Sequence, residues 1–210
     1  AQTIVAQVAS MKRMVDEFRE YARMPSAQMA PLDLNQLIEE VVSLYGASPP
    51  KLELATNLPP IEGDVSQLRQ VVHNLLQNAQ DAMMLAEQHG TPFASDAIVV
   101  RTKAIEYGPT DDTRRNAVRL EVQDRGVGFS PKILARAFEP YVTTKPRGTG
   151  LGLAIVRKIA EEPGARVDIG NVDAGGAIVG ITFYRIADSF EPRVIQPGAG
   201  LVHGEHSGRG

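Results

Sequence analysis

The chain has 210 residues, 43% hydrophobic and 22% charged, which suits one good core plus an appendage in an ordinary globular protein. Its net charge of −3 supplies no field for nucleic acid or an anionic membrane, so neither partner is expected, and the lack of cysteine excludes disulfides and thiolate metal sites. No apolar run approaches the roughly 18 residues a membrane span needs, and no signal peptide is visible. Residues 2–24 read as one helix. Ile4, Val8, Met11, Val15, Phe18 and Ala22 alternate steps of four and three, a coiled-coil-like seam. So narrow a stripe fits a helix folded onto the domain, or half of a helical hairpin or dimer seam. Ala1 falls inside this helix, which suggests a piece of a longer protein.

Residues 26–31 read as a linker rich in Pro, Ser and Ala, after which Asp33 caps a helix over Leu34 to Tyr45. Leu52 to Thr56 reads as a strand followed by a Pro-rich turn. Asp64 or Ser66 then opens a long helix that ends near Gly90. Within it, Leu68, Val71, Val72, Leu75, Ala79, Ala82 and Met83 fill an apolar arc of roughly 140° at about 100° per residue. Asn74, Asn78 and Asp81, spaced i, i+4 and i+7, line one side against the edge of that arc. Asparagine is a mediocre helix former, and a buried amide needs a partner, so this seam points to a ligand.

Ile98 to Ile105 and Ala117 to Gln123 read as strands flanking a hairpin loop, and residues 124–150 as a long connection with a short helix around Lys132 to Ala137. A helix over Leu151 to Glu162 follows, ended by Pro163. Strands over Val167 to Asn171 and Ala177 to Tyr184 are joined by a Gly-Gly turn at 175–176. Mixed helices and antiparallel hairpins predict an α+β two-layer sandwich. Residues 188–210, rich in Gly, Pro and His, read as a flexible tail; His203 and His206 there lack the carboxylate frame of a metal site.

Three segments between these elements could carry chemistry. Asp124-Arg125-Gly126-Val127-Gly128-Phe129 ends a strand that aims Asp124 inward, and its glycines let backbone approach a flat ligand. A carboxylate there accepts a hydrogen bond from an exocyclic amine such as that of adenine; a tight turn with a capping aspartate also fits. Gly148-Thr149-Gly150-Leu151-Gly152-Leu153 precedes a helix, where exposed N–H groups and the helix dipole suit phosphate. It is not a Walker A loop, because no Lys-Ser/Thr follows the glycines. Between the two, Phe138 and Tyr141 can anchor a loop, and Lys145 and Arg147 can meet a terminal phosphate or be solvated.

The order of these segments closely resembles the nucleotide-binding domain of two-component sensor histidine kinases, within the wider ATPase group that includes gyrase, Hsp90 and MutL. The resemblance covers residues 32–186, with the catalytic ATP-binding domain placed at 32–187. Residues 1–25, through Met11-Lys12-Arg13-Met14-Val15-Asp16-Glu17-Phe18, look like the second helix of the dimerisation and phosphoacceptor hairpin. The wording of that helix and of the asparagine helix is similar to nitrogen-regulation kinases of the NtrY kind. The resemblance implies Mg²⁺ on the Asn78 amide oxygen, supported by Asn74, with adenine read by Asp124 beside Gly126 and Gly128. Gly148, Gly150 and Gly152 would wrap the triphosphate, and Lys145 or Arg147 would steady the transferred phosphoryl group. Asp81, Phe138, Tyr141, Thr144, Thr149 and Leu151 complete the implied ATP-binding set.

Relatives that hydrolyse ATP carry a glutamate general base four residues before the metal-binding asparagine. Here Asn74, which cannot take a proton, stands there, so phosphoryl transfer to a histidine is favoured over the alternatives, an ATPase or protein-serine kinase of the same group or a nucleotide-binding module without turnover. None of His73, His89, His203 or His206 lies in the family's acceptor segment. The acceptor is therefore expected upstream of Ala1 or on another chain. His73 lies about 100° from the asparagine seam and should be a partly exposed polar residue. The resemblance further implies a response regulator receiver domain as partner, a homodimer through the hairpin, and a cytoplasmic location under a parent open to inner-membrane anchoring.

Overall fold

The computed structural model describes residues 21–46, 49–90, 97–107, 115–143, 145 and 148–184, together with 8, 11, 12, 14, 15, 18 and 19. The described positions from Val8 to Ala22 are helical, and Val8, Met11, Val15 and Phe18 of the apolar seam are 47–62% exposed. The seam therefore does not fold onto the domain, whereas Tyr21 and Met24 at the helix end pack against the core.

The rest alternates short strands and helices: β1 (Ala30–Leu32), α1 (Leu34–Val42), a 3-10 turn (Ser43–Tyr45), β2 (Lys51–Glu53), β3 (Ile61–Gly63) and α2 (Val65–Gln88). Then come β4 (Ile98–Tyr107), β5 (Arg115–Asp124), α3 (Pro131–Leu134), α4 (Gly152–Glu161), β6 (Arg166–Asn171) and β7 (Ala177–Tyr184). The predicted α+β two-layer sandwich is present. A five-stranded sheet, ordered β2-β4-β5-β7-β6, lies against α1, α2 and α4. The β2–β4 pair is parallel and the other neighbours are antiparallel. β1 and β3 form a separate antiparallel pair. This differs from the expected linker and Pro-rich turn: Ala30 and Pro31 are paired with Gly63 and Glu62. Strands of three residues carry no period, so sequence alone cannot show them.

The core follows from two periodicities. From β5, Val118, Leu120 and Val122 face the helices, and from β7, Val179, Ile181 and Phe183 do; all are buried. Against them α2 sets Leu68, Val71, Val72, Leu75, Ala79 and Met83, as its apolar arc predicts. A polar ring closes the α1 end. Thr102 Oγ1 donates to Asn35 Oδ1 at 2.8 Å and accepts from the Ala55 N–H, while Asn35 Nδ2 donates to the Ala55 carbonyl. On the open face, Arg119 grips Asp168 with two nitrogens, each at 2.7 Å, and also bonds Glu121 and Thr182. A Cβ on Gly180 would come within 2.2 Å of the Arg119 guanidinium, so glycine makes room for it.

Asp64 caps α2, accepting from the Ser66 and Gln67 N–H groups and the Ser66 hydroxyl. Its other oxygen accepts from the Gln28 N–H at 2.8 Å, and Gln67 Nε2 donates to the Pro25 carbonyl, so the segment after the first helix is tied to the start of α2. The Ser66 hydroxyl, then the Gln28 and Gln67 N–H groups, hold the Asp64 carboxyl down at about 2. Such a depressed carboxyl stabilises the fold above its unfolded value, and the contribution is lost as pH falls through the folded one. Asp64→Ala should lower stability by about 1–2 kcal/mol, the scale of an N-cap. Denaturant unfolding at neutral pH would show it, and the difference should shrink in acid.

Candidate nucleotide site

The polar seam of α2 cannot rotate away from the cleft without lifting its apolar arc out of the core. Asn74 and Asn78 are therefore held at the core edge, half-buried. Asn78 Oδ1 accepts from Lys145 Nζ at 3.0 Å, and the same ammonium donates to Asp81 Oδ2 at 2.7 Å. Gln77 Nε2 donates to the other Asp81 oxygen. Among the described residues, the buried side-chain nitrogen and oxygen atoms that lack a partner are Asn74 Nδ2 and Asn78 Nδ2. A buried donor left unmade costs about 1–3 kcal/mol, so two together in one cleft mark a place for an acceptor from outside the chain.

Asp124 closes the inward row of β5 and is 7% exposed. Its Oδ1 accepts from the Gly126 N–H at 2.8 Å and the Ala177 N–H at 3.3 Å. Burial pushes its carboxyl up from the ordinary aspartate value, against the pull of those N–H groups and the Lys145 charge. The glycines beside it serve the protein first. A Cβ on Gly126 would lie 2.7 Å from the Ala82 backbone, so the loop rests directly on α2 one turn beyond Asn78. A Cβ on Gly128, whose φ is +69°, would meet Asn171 Oδ1 at 3.0 Å and the Gly176 carbonyl at 3.2 Å. At these two glycines the direction a side chain would take is thus occupied by α2 and the β6–β7 hairpin.

The second glycine segment comes to the same place. A Cβ on Gly152, the first residue of α4, would meet the Asn78 amide nitrogen at 3.5 Å. No side chain caps α4, leaving its first N–H groups to the cleft, although Thr149 Oγ1 accepts from the Leu151 N–H. Gly150, at φ +71°, packs on the backbone of Tyr141 and Val142, and the Tyr141 N–H donates to its carbonyl at 3.0 Å. Gly148 sits against Thr143 Oγ1 and Lys145. Phe138 is half-buried, with the Arg157 guanidinium 5.7 Å from its ring centre. Tyr141 is not: at φ +67° its ring is 57% exposed, and its backbone makes the anchoring contact. Leu151 is fully buried in the core. Thr144 and Arg147 lie outside the described residues, as do His203 and His206. His73 is exposed, as expected, with Nδ1 2.9 Å from the Tyr45 hydroxyl.

Asn74, Asn78, Asp81, Asp124, Lys145 and the glycines 128, 148, 150 and 152 line one cleft of about 1320 Å³, which runs on past His73 and Arg69 to Arg19 and Arg23. Sequence reading missed Asn171 and Ala177, whose positions at the two ends of a hairpin read only as turn flanks.

Fold and cleft together define an ATPase-type nucleotide domain. Residues 63–186 match the family of histidine kinase-, DNA gyrase B- and HSP90-like ATPases, and the chain belongs to it. It is 32% identical over 194 residues to nitrogen regulation protein NtrY of Azorhizobium caulinodans, covering 90% of this chain and 24% of that protein. It is likewise 32% identical to sensor histidine kinase ZraS of Escherichia coli O157:H7, over 84% of this chain and 36% of the relative. The chain thus spans about a quarter to a third of the length of these curated relatives. Full-length ShkA, solved in complex with AMPPNP, superposes with a TM-score of 0.61 at 27% identity, over 87% of this chain and 38% of ShkA. Among the described residues no helix is long and apolar enough to cross a membrane.

Gly126→Ala should cost about 1–3 kcal/mol in denaturant unfolding, because the methyl meets helix backbone that cannot yield. An unchanged unfolding midpoint would show that the loop does not rest on α2.

Proposed function

We propose that the chain is the catalytic ATP-binding core of a sensor histidine kinase, which binds Mg-ATP and transfers its γ-phosphoryl group to a histidine outside residues 1–210. The pair of orphaned amides on α2, facing the uncapped start of α4, carries this reading. Asn74 Nδ2 and Asn78 Nδ2 are donors in search of acceptor oxygens, and phosphate oxygens are such acceptors. The Asn78 and Asp81 oxygens already hold a cation, the Lys145 ammonium, so the donor set suits a hard divalent ion shared with phosphate. When bound, Mg²⁺ would neutralise charge on the phosphates. Asn78 would be its ligand, with Asn74 in support. The first N–H groups of α4 meet the phosphates, and Lys145, once released from Asn78 and Asp81, meets the terminal one. Asp124 accepts from the adenine amine.

Transfer is favoured over hydrolysis by Asn74. It stands where the hydrolysing relatives carry a glutamate base, and an amide cannot take a proton from water. A histidine acceptor brings its own nucleophile. In the whole protein, a hairpin that includes residues 1–25 would form the homodimer and carry the acceptor, and a response regulator receiver domain would take the phosphoryl group. The exposed seam through Val8, Met11, Val15 and Phe18 fits that hairpin. A cytoplasmic location belongs to the same reading.

Incubation of the 210-residue chain with Mg-ATP and a separately supplied acceptor hairpin should give acid-labile phosphohistidine on the hairpin. Acid-stable phosphate, or steady phosphate release without an acceptor, would sink the reading. Asn78→Ala should abolish the transfer with the fold intact; transfer at the normal rate would put the metal elsewhere.

Asp124 adds a pH dependence. The ionised carboxylate accepts the amine and the protonated form does so poorly, so nucleotide binding opposes protonation. Because burial raises the Asp124 carboxyl, ATP affinity should begin to fall at a pH above the ordinary aspartate value as acid is added. Asp124→Asn should bind ATP about 1–3 kcal/mol more weakly and lose that dependence. Calorimetric titrations across the mildly acidic range would test both; equal affinity in the two proteins would remove Asp124 from adenine recognition.

A further inference from the structure

We propose that Asn171 is a positioning residue for nucleotide recognition. Through its side-chain amide it clamps the far end of the Asp124–Phe129 loop and so sets which base the Asp124 carboxylate can read. The inference rests on the nucleotide reading of this cleft given above. Asn171 Oδ1 accepts from the Phe129 N–H at 2.7 Å, and Asn171 Nδ2 donates to the Phe129 carbonyl at 2.8 Å. One planar amide thus satisfies both polar groups of a single residue 42 positions away in the chain. Asn171 ends β6, where its ladder partner is Ala177, the first residue of β7. The Ala177 N–H donates to Asp124 Oδ1. A single cross-strand pair therefore holds both ends of the loop, Asp124 through backbone and Phe129 through a side chain.

The loop is also pressed onto that hairpin along its length. Gly128 lies against the Asn171 amide oxygen and the Gly176 carbonyl, and a Cβ on Gly176 would fall 2.0 Å from the Asp124 carbonyl. Gly128 and Phe129 line the cleft, whereas Asn171 does not, so Asn171 acts through the loop and touches no ligand. The β6–β7 ladder does not need the Asn171 side chain, because its pairing with Ala177 is a backbone matter. Without the amide, the Phe129 end of the loop is free to shift and Asp124 is held from one side. The property most exposed to that shift is discrimination at the base edge. A fixed carboxylate accepts from an exocyclic amine and repels a carbonyl in the same place.

The test is calorimetric titration of the 210-residue chain with Mg-ATP and with Mg-GTP, for the unmodified protein, Asn171→Ala and Asn171→Asp. Asn171→Ala should weaken ATP binding about tenfold, the scale of a lost hydrogen-bonded position, with a smaller change for GTP, so the ATP-to-GTP preference narrows. Asn171→Asp keeps the acceptor for the Phe129 N–H but sets an oxygen against the Phe129 carbonyl. It should show the same narrowing with a near-native melting temperature. Asp173→Ala, on the same hairpin, should leave both affinities unchanged. Unaltered ATP affinity and preference in both Asn171 variants would overturn the role of Asn171 alone. Equal weakening of both nucleotides together with a lowered melting temperature would reduce Asn171 to a stability residue and also overturn it. An unmodified chain that binds no ATP would overturn the nucleotide reading itself and this inference with it.

Discussion

The rotation of α2 about its own axis governs the rest of the structure. Its apolar arc is buried against β5 and α4, and each of the large side chains Leu68, Val71, Val72, Leu75 and Met83 contributes about 1.5–3 kcal/mol by leaving water. Turning the helix far enough to bring Asn74 and Asn78 into solvent would expose several of them at once. The asparagines can therefore stay at the core edge with their amide nitrogens unmatched. A local cost of a few kcal/mol is carried by a much larger burial term, and the site inherits the rigidity of the core.

The other pieces of the cleft reach α2 through backbone. Gly126 lets one loop touch Ala82, Gly152 starts α4 beside the Asn78 amide, and Gly150 lets the backbone of Tyr141 and Val142 lie against the chain entering α4. In each case a side chain would hold two backbones apart. The cleft is consequently assembled from close backbone approaches, with the side chains of Asn74, Asn78, Asp81, Asp124 and Lys145 set among them. Lys145 is the cation in that set: its long stem lets it bridge Asn78 and Asp81 while its first carbons pack against Gly148.

The long periodic segments were legible in the sequence. The arc and seam of α2, the Asp64 cap, the β4–β5 and β6–β7 hairpins and the end of α4 before Pro163 all follow from spacing and turn chemistry. The family resemblance identified the loops that converge on the seam. What escaped has a common cause. β1 and β3 are too short to show a period, and their pairing is a tertiary event. Tyr141 looked like an anchor because aromatic rings usually are, but a left-handed backbone turns its ring outward. That Gly126 rests on Ala82, and Gly128 on Asn171 and Gly176, could not be read from the glycines of the Asp124 loop, because those contacts are tertiary. Asn171 could not be read because its partner lies in a distant loop and the sequence carries no trace of the contact.

The alternation of β5 has a consequence for how such a domain can change. Val118, Leu120, Val122 and Asp124 point to the helices, and Arg119, Glu121 and Gln123 to the open face. The acidic group at the cleft end of β5 is thus a matter of odd and even. The connection between Tyr107 and Arg115 can gain or lose residues at little cost, because closure entropy grows slowly with length. A single residue added within the ladder itself, if no bulge absorbs it, would exchange the two faces. It would deliver Gln123 or Arg125 to the cleft, turn Asp124 outward and strip Arg119 of its carboxylates in one step. A change of length is therefore cheap in the loop, whereas in the strand it keeps the two faces only in steps of two or by way of a bulge.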